Sequence, residues 1–117
     1  MKYLVTDDSK LARLTLLKSL KVHVGDAEIF QAENGAIAVD IVKNEKPDIV
    51  FLDLTMPVMD GYEALDKMME INKNLKVVVV SADIQEKARE RVINSGAQLH
   101  VQKPINADKM LEILEII

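Results

Sequence analysis

Ile49-Val50-Phe51-Leu52-Asp53 decides the fold: four apolar residues end abruptly in a carboxylate and run on into Leu54-Thr55-Met56-Pro57. An unbroken β-branched and aromatic run of this length, bounded by Pro47 and Pro57, predicts a strand covered on both faces that delivers one acid to its tip. Helices must then flank it. Taken alone, Asp53 reads more simply as an N-cap or turn residue leaving a strand, so the rest of the chain has to decide its role.

Upstream, Glu28-Ile29-Phe30-Gln31-Ala32 makes a more polar strand. Asn34 caps the next helix, whose inward stripe is Ala38, Ile41 and Val42 before Pro47 ends any helical option. Tyr3-Leu4-Val5 forms the first strand, with Thr6-Asp7-Asp8-Ser9 as its polar exit. In the helix that follows, Leu11, Leu14 and Leu17 recur at helical spacing, Lys10, Arg13 and Lys18 are left for solvent, and Gly25 permits the turn. Downstream of Met59-Asp60-Gly61, the spacing predicts a helix over 62–72 with Leu65, Met68 and Ile71 inward. Val77-Val78-Val79-Val80 is a second continuous apolar strand, closing on Ser81-Ala82-Asp83 as the earlier one closes on Asp53. A helix over 84–95 turns Ala88 and Val92 inward, presents a solvated charged face and stops at Gly96. Leu99-His100-Val101-Gln102 alternates, Lys103-Pro104 turns, and a last helix sets Ala107, Met110, Leu111, Leu114 and Ile117 along one stripe.

Five strand-then-helix units without a linker or repeat predict one α/β domain over residues 1–117, with a five-stranded parallel sheet between helical layers. The two fully apolar strands belong in its centre and the mixed second and alternating fifth at its edges, which order 2-1-3-4-5 satisfies. In such a sheet the reactive crevice lies beyond the carboxyl ends of the strands, at the switch point between strands one and three. Asp7, Asp8 and Asp53 arrive there.

Composition narrows the chemistry. The chain has 117 residues and no cysteine, which excludes disulfides and thiolate metal sites and suits a reducing compartment. With no signal peptide and only strand-length apolar runs, a cytoplasmic protein is expected. A formal charge of −4, interspersed signs and few aromatics argue against nucleic-acid binding, and the shortness of the apolar runs argues against a membrane partner.

Three carboxylates in one crevice repel, each pair about 4 Å apart costing on the order of 4 kcal/mol at an effective dielectric near 20. Oxygen ligands with no Cys and no nearby His favour a hard cation, Mg²⁺ ahead of Ca²⁺ because the ligands are few. Without metal, one carboxylate of such a coupled cluster titrates high. Ser81 adds a hydroxyl and Lys103 a point cation, which together with Mg²⁺ meet the needs of phosphoryl transfer. Singly, each of these features reads as a cap or turn; on one rim they make a site.

With these residues in place, the whole chain resembles the receiver domain of two-component response regulators, the CheY-like family with its flavodoxin-like three-layer sandwich. The matching residues are Asp7-Asp8, Asp53 in Asp-Leu-Thr-Met-Pro, Met59-Asp60-Gly61, Ser81-Ala82 and Lys103-Pro104. The strand order given above is that family's order, so the two readings are not independent. The resemblance implies that Asp53 is the phosphoacceptor, served by the phosphohistidine of a histidine kinase or by a small donor such as acetyl phosphate. It implies that Asp8, Asp53 and the backbone carbonyl of Thr55 bind Mg²⁺, with Asp7 acting largely through water. Ser81 and Lys103 would hold phosphoryl oxygens, and the Lys103-Pro104 bond would be cis. Thr55 and Asp83 would flank the hydrolytic water and set the lifetime of the phosphorylated state.

The implied protein is no enzyme beyond its own phosphorylation and dephosphorylation. Its output is binding of a downstream protein by the face made of helix four, strand five and helix five, as a monomer or a weak phosphorylation-dependent dimer. Ala82, Asp83, His100 and Pro104 join Ser81 as switch or tuning positions. The sequence departs from the family at His100, where an aromatic that swings inward is usual, and at Ser81, where Thr is commoner. His100 either fills the inward pocket or faces water from an edge strand; His23 is expected at the surface. Met1, set close to strand one, favours a stand-alone regulator of the chemotaxis type. The alternatives are a receiver cut from a larger transcription regulator or hybrid kinase, and an inert pseudo-receiver. A Mg²⁺-dependent phosphohydrolase fits less well, because it would carry Asp-x-Asp and a cap insertion.

Overall fold

A computed structural model describes residues 1–82 and 84–117. Five parallel strands, β1 (Lys2–Thr6), β2 (Glu28–Ala32), β3 (Ile49–Leu52), β4 (Lys76–Ser81) and β5 (Leu99–Gln102), alternate with five helices, and the sheet order is β2-β1-β3-β4-β5. The helices are α1 (Lys10–Val24), α2 (Gly35–Glu45), α3 (Gly61–Ile71), α4 (Glu86–Asn94) and α5 (Ala107–Ile116).

The continuous apolar strands are central because both of their faces are covered. On β3, Ile49 and Phe51 point to the α1/α5 layer, where they meet Leu16, Leu20, Met110 and Ile113; Val50 and Leu52 point to the other layer, against Ala38, Leu65, Met68 and Val92. Alternation with a period of two turns one apolar run into two cores. Ladder register carries the strands to a common rim, with Thr6 beside Ala32 and Leu52, and Ser81 beside Gln102.

Side-chain caps start the helices. Ser9, Asn34, Asp60 and Asn106 accept from the backbone N–H three residues ahead at the heads of α1, α2, α3 and α5. Asn34 is therefore the cap expected from the sequence.

Three inward stripes need correction. In α1 the buried residues are Leu16, Ser19 and Leu20, while Leu11 is 77% and Leu14 43% exposed. At 100° per residue, Leu11 and Leu14 lie roughly 140° and 160° around the helix from Leu16, so only one of the two leucine sets can face the sheet. The buried set is the one that includes small Ser19. In α3 Ile71 is exposed at the last turn, and in α5 Ile113 is buried in place of the exposed Leu111. Arg13 is half-buried and His23 is exposed, its Nε2 within 2.6 Å of the Ala107 carbonyl. No helix among the described residues is long and apolar enough to cross a membrane.

Candidate functional site

The strand ends are tied to one another beyond the last paired residue. The N–H of Asp7 donates to the Ala32 carbonyl at 3.1 Å, that of Asp53 to Thr6 at 3.0 Å, and that of Lys103 to Ser81 at 2.8 Å. The tips therefore inherit the rigidity of the ladder. Asp7 is further fixed by Ser9, whose N–H donates to its Oδ1 at 3.0 Å, while Arg13 Nη1 donates to the Asp7 carbonyl at 2.8 Å. Arg13, assigned to solvent from the sequence, thus braces the acidic turn; no spacing signal marked it.

Asp7, Asp8 and Asp53 each offer a carboxylate oxygen, and the three oxygens lie within 4.8 Å of one another. Asp7 and Asp53 are buried and Asp8 is exposed. Lys103 bridges the buried two, its Nζ standing 2.5 Å from Asp7 Oδ2 and 3.5 Å from Asp53 Oδ1. Asp53 titrates above its ordinary range, chiefly because burial disfavours its charge and secondly because Asp7 repels it; Lys103 and the Leu54 N–H oppose the shift. Burial works against the Lys103 ammonium, yet its bond to Asp7 and the charges of Asp53 and Asp7 carry its pKa upward. Three acids against one lysine leave the rim net negative. The donors are all hard oxygens, with a solvent-facing acid on one side, which suits a divalent ion that keeps part of its water.

An open cleft of about 510 Å³ joins these groups to Leu54, Thr55, Ser81 and Ala82. Ser81 is buried, Ala82 is exposed and its carbonyl accepts from Gln102 Nε2 at 3.1 Å, and the Lys103–Pro104 peptide is cis as expected. Of the candidates drawn from the sequence, Asp7, Asp8, Asp53, Thr55, Ser81, Ala82 and Lys103 line this cleft, Pro104 lines the neighbouring pocket against α1, His100 lies beneath Ser81, and Asp83 falls outside the described residues. His100 is 7% exposed, and its Nε2 lies 2.8 Å from Ser81 Oγ. It therefore fills the inward pocket, and the water-facing alternative is set aside. Burial first and Arg89 second hold its pKa below the ordinary value.

Gly61 is the positioning residue that sequence reading undervalued. A Cβ there would run into the Asp53 carbonyl and come within 2.7 Å of Leu54 Cα, while its N–H donates to Leu54 O at 2.9 Å. Only glycine lets α3 begin against the backbone that carries Asp53. The signal was Asp60-Gly61, a cap followed by the smallest residue, shortly after the strand tip.

Comparison with known proteins agrees with this geometry. Residues 3–115 match the family model for the response regulator receiver domain. The chain is 42% identical over 116 residues to the chemotaxis protein CheY of Listeria monocytogenes, covering 98% of this chain and 96% of that protein. It is 34% identical to sporulation initiation phosphotransferase F of Bacillus subtilis, covering 97% and 90%. Among solved structures, the CheX-CheY-BeF3-Mg²⁺ complex of Borrelia burgdorferi superposes with a TM-score of 0.91 at 32% identity, over 97% of this chain and 86% of that one. With its order 2-1-3-4-5 sheet, its acidic crevice and a family match spanning nearly its whole length, the chain belongs to the response regulator receiver domain family.

Proposed function

We propose that the chain is a phosphorylation-operated signalling switch of the CheY chemotaxis type, with Asp53 as phosphoacceptor and a histidine kinase as donor. The observation that carries this reading is Asp53 Oδ1 held 3.5 Å from Lys103 Nζ within a cluster of three acids. Support for the chemotaxis assignment comes from the relatives so named, one of which is matched over 96% of its length.

Asp53 attacks as the ionised carboxylate. An oxygen lone pair forms the new O–P bond, and the P–N or P–O bond to the donor breaks with its electrons leaving on the donor. Asp8, Asp53 and the Thr55 carbonyl would hold Mg²⁺, with Asp7 beside them; the ion supplies neutralisation of the rim and of the transferring oxygens. Lys103 offsets charge on the same oxygens from the opposite side, and Ser81 donates a hydrogen bond to one of them. Because the metal-free pocket raises the pKa of Asp53, added positive charge also keeps the nucleophile ionised. Water then cleaves the acyl phosphate, with Thr55 and Asp83 setting its lifetime. The signal leaves through α4, β5 and α5 as Ser81 and its loop follow the phosphoryl group.

Intact mass after incubation with acetyl phosphate tests the reading. A single phosphoryl adduct that requires Mg²⁺ and disappears in Asp53→Asn is expected. Absence of any adduct with both acetyl phosphate and phosphoramidate would identify an inert binding module instead.

A further inference from the structure

His100 and Ser81 are both buried, 19 residues apart in sequence, and joined by the 2.8 Å contact between Nε2 and Oγ. The direction of that bond is set by the imidazole tautomer, and it has a consequence for the rim. A serine hydroxyl carries one proton and can donate it once. If Nε2 is bare, Ser81 must spend its proton on His100. If Nε2 carries hydrogen, Ser81 Oγ accepts from the ring and His100 makes no demand on its proton.

The other ring nitrogen discriminates between the two. Nδ1 of His100 is buried with no hydrogen-bond partner among the described residues. Placing the proton there would bury an orphaned N–H and consume the Ser81 proton at once. Orphaned buried donors are the rarer and costlier defect, whereas a bare ring nitrogen leaves only a lone pair unmatched. A doubly protonated ring would add a buried charge, which burial and Arg89 both oppose.

We infer that His100 is a positioning residue in its Nε2–H form, donating to Ser81 Oγ so that the ring does not draw the Ser81 proton into the core, away from a phosphoryl oxygen. This inference deepens the proposed phosphoacceptor function and rests on it for the identity of that oxygen. The hydrogen-bond direction itself stands independently. Where a phenyl ring at this position would only fill space, His100 also occupies an Oγ lone pair on the core side of Ser81.

Nitrogen-15 NMR of the ring nitrogens tests the direction, with His23 as an internal reference: its Nε2 lies 2.6 Å from the Ala107 carbonyl, which can only accept, so that nitrogen carries hydrogen. His100 is expected to show a protonated Nε2 and a bare Nδ1; the reverse pattern overturns the inference. Phosphorylation rates with phosphoramidate test the consequence. His100→Gln keeps an N–H at the place of Nε2 and is expected within about threefold of the parent, whereas His100→Phe fills the pocket without it and is expected to be about tenfold slower. Equal slowing of both variants, or an unimpaired Phe variant, in chains that melt cooperatively would overturn the positioning role. A parent chain that takes no phosphoryl group refutes the phosphoacceptor reading instead, and the NMR pattern still decides the hydrogen-bond direction.

Discussion

Replacing Asp53 by Asn should stabilise the metal-free protein and reverse its rank when Mg²⁺ is added. At an effective dielectric near 20, the 3.5 Å contact with Lys103 favours the Asp53 charge by about 5 kcal/mol. Asp7, with its oxygen within 4.8 Å, opposes it by about 3.5 kcal/mol, and exposed, solvent-screened Asp8 adds up to about 1 kcal/mol more. These contributions nearly cancel, so the cost of burying a carboxylate decides the sign. Asp53→Asn is therefore expected to gain about 1 kcal/mol in EDTA, or about 4 °C in Tm. The gain has a pH window. The Asp53 pKa is raised from an ordinary 3.8, so the folded state holds the proton longer, and the penalty on wild type develops as pH rises through that window. Below it the two proteins should converge. Mg²⁺ at ten times its Kd adds about 1.4 kcal/mol to a chain that binds it, and the variant, lacking one ligand charge, gains less. Urea melts in EDTA and in Mg²⁺ provide the assay. An Asn variant that is less stable in EDTA, or an equal Mg²⁺ gain in both chains, would refute the reasoning.

Other perturbations address the scaffold. Gly61→Ala should cost about 3 kcal/mol, because the added Cβ meets the Asp53 and Leu54 backbone; denaturant midpoints measure it. Val58 is exposed at φ 67°, in a tight turn closed by Met59 N–H to the Pro57 carbonyl at 2.7 Å. Val58→Asn should relieve that β-branched strain and add about 1 kcal/mol in thermal melts. Leu16→Ala should cost about 3 kcal/mol, whereas Leu11→Ala should stay within about 0.5 kcal/mol, a contrast that tests which stripe of α1 is buried. His100 is held neutral in the fold with its pKa below 6.5, so the unfolded chain binds the proton first. Stability should fall as pH drops below about 6.5 and level off once folded His100 is also protonated, and His100→Gln should flatten that slope in pH-dependent urea melts.

Sheet architecture was legible because β3 is apolar at every position and β4 is apolar from Val77 to Val80, a pattern that needs cover on both faces and leaves the mixed strands for the edges. The rim was legible for a related reason, since the apolar runs Ile49–Leu52 and Val77–Val80 stop at Asp53 and Ser81. Helix faces were less so. In α1, leucines at 11, 14, 16, 17 and 20 offer two competing stripes, and the one buried with Ser19 is selected by tertiary packing rather than by any local period. Arg13 bracing Asp7, Gly61 against Asp53 and His100 beneath Ser81 share that character. Each joins residues from different elements, so no local period announces them. His100 shows the limit well: its sequence allowed an inward or an outward side chain, and the packing of α4 over β5 decides for inward.

Asp53 itself is expected to receive the phosphoryl group. Borohydride reduction of acetyl phosphate-treated protein in Mg²⁺, followed by peptide mass spectrometry, tests it most directly, because an aspartyl phosphate is reduced to homoserine at the residue that carried it. Homoserine at position 53, absent when EDTA replaces Mg²⁺, is the expected result. Homoserine at Asp7 or Asp8, or at no aspartate despite a phosphoryl adduct in the intact mass, would contradict it.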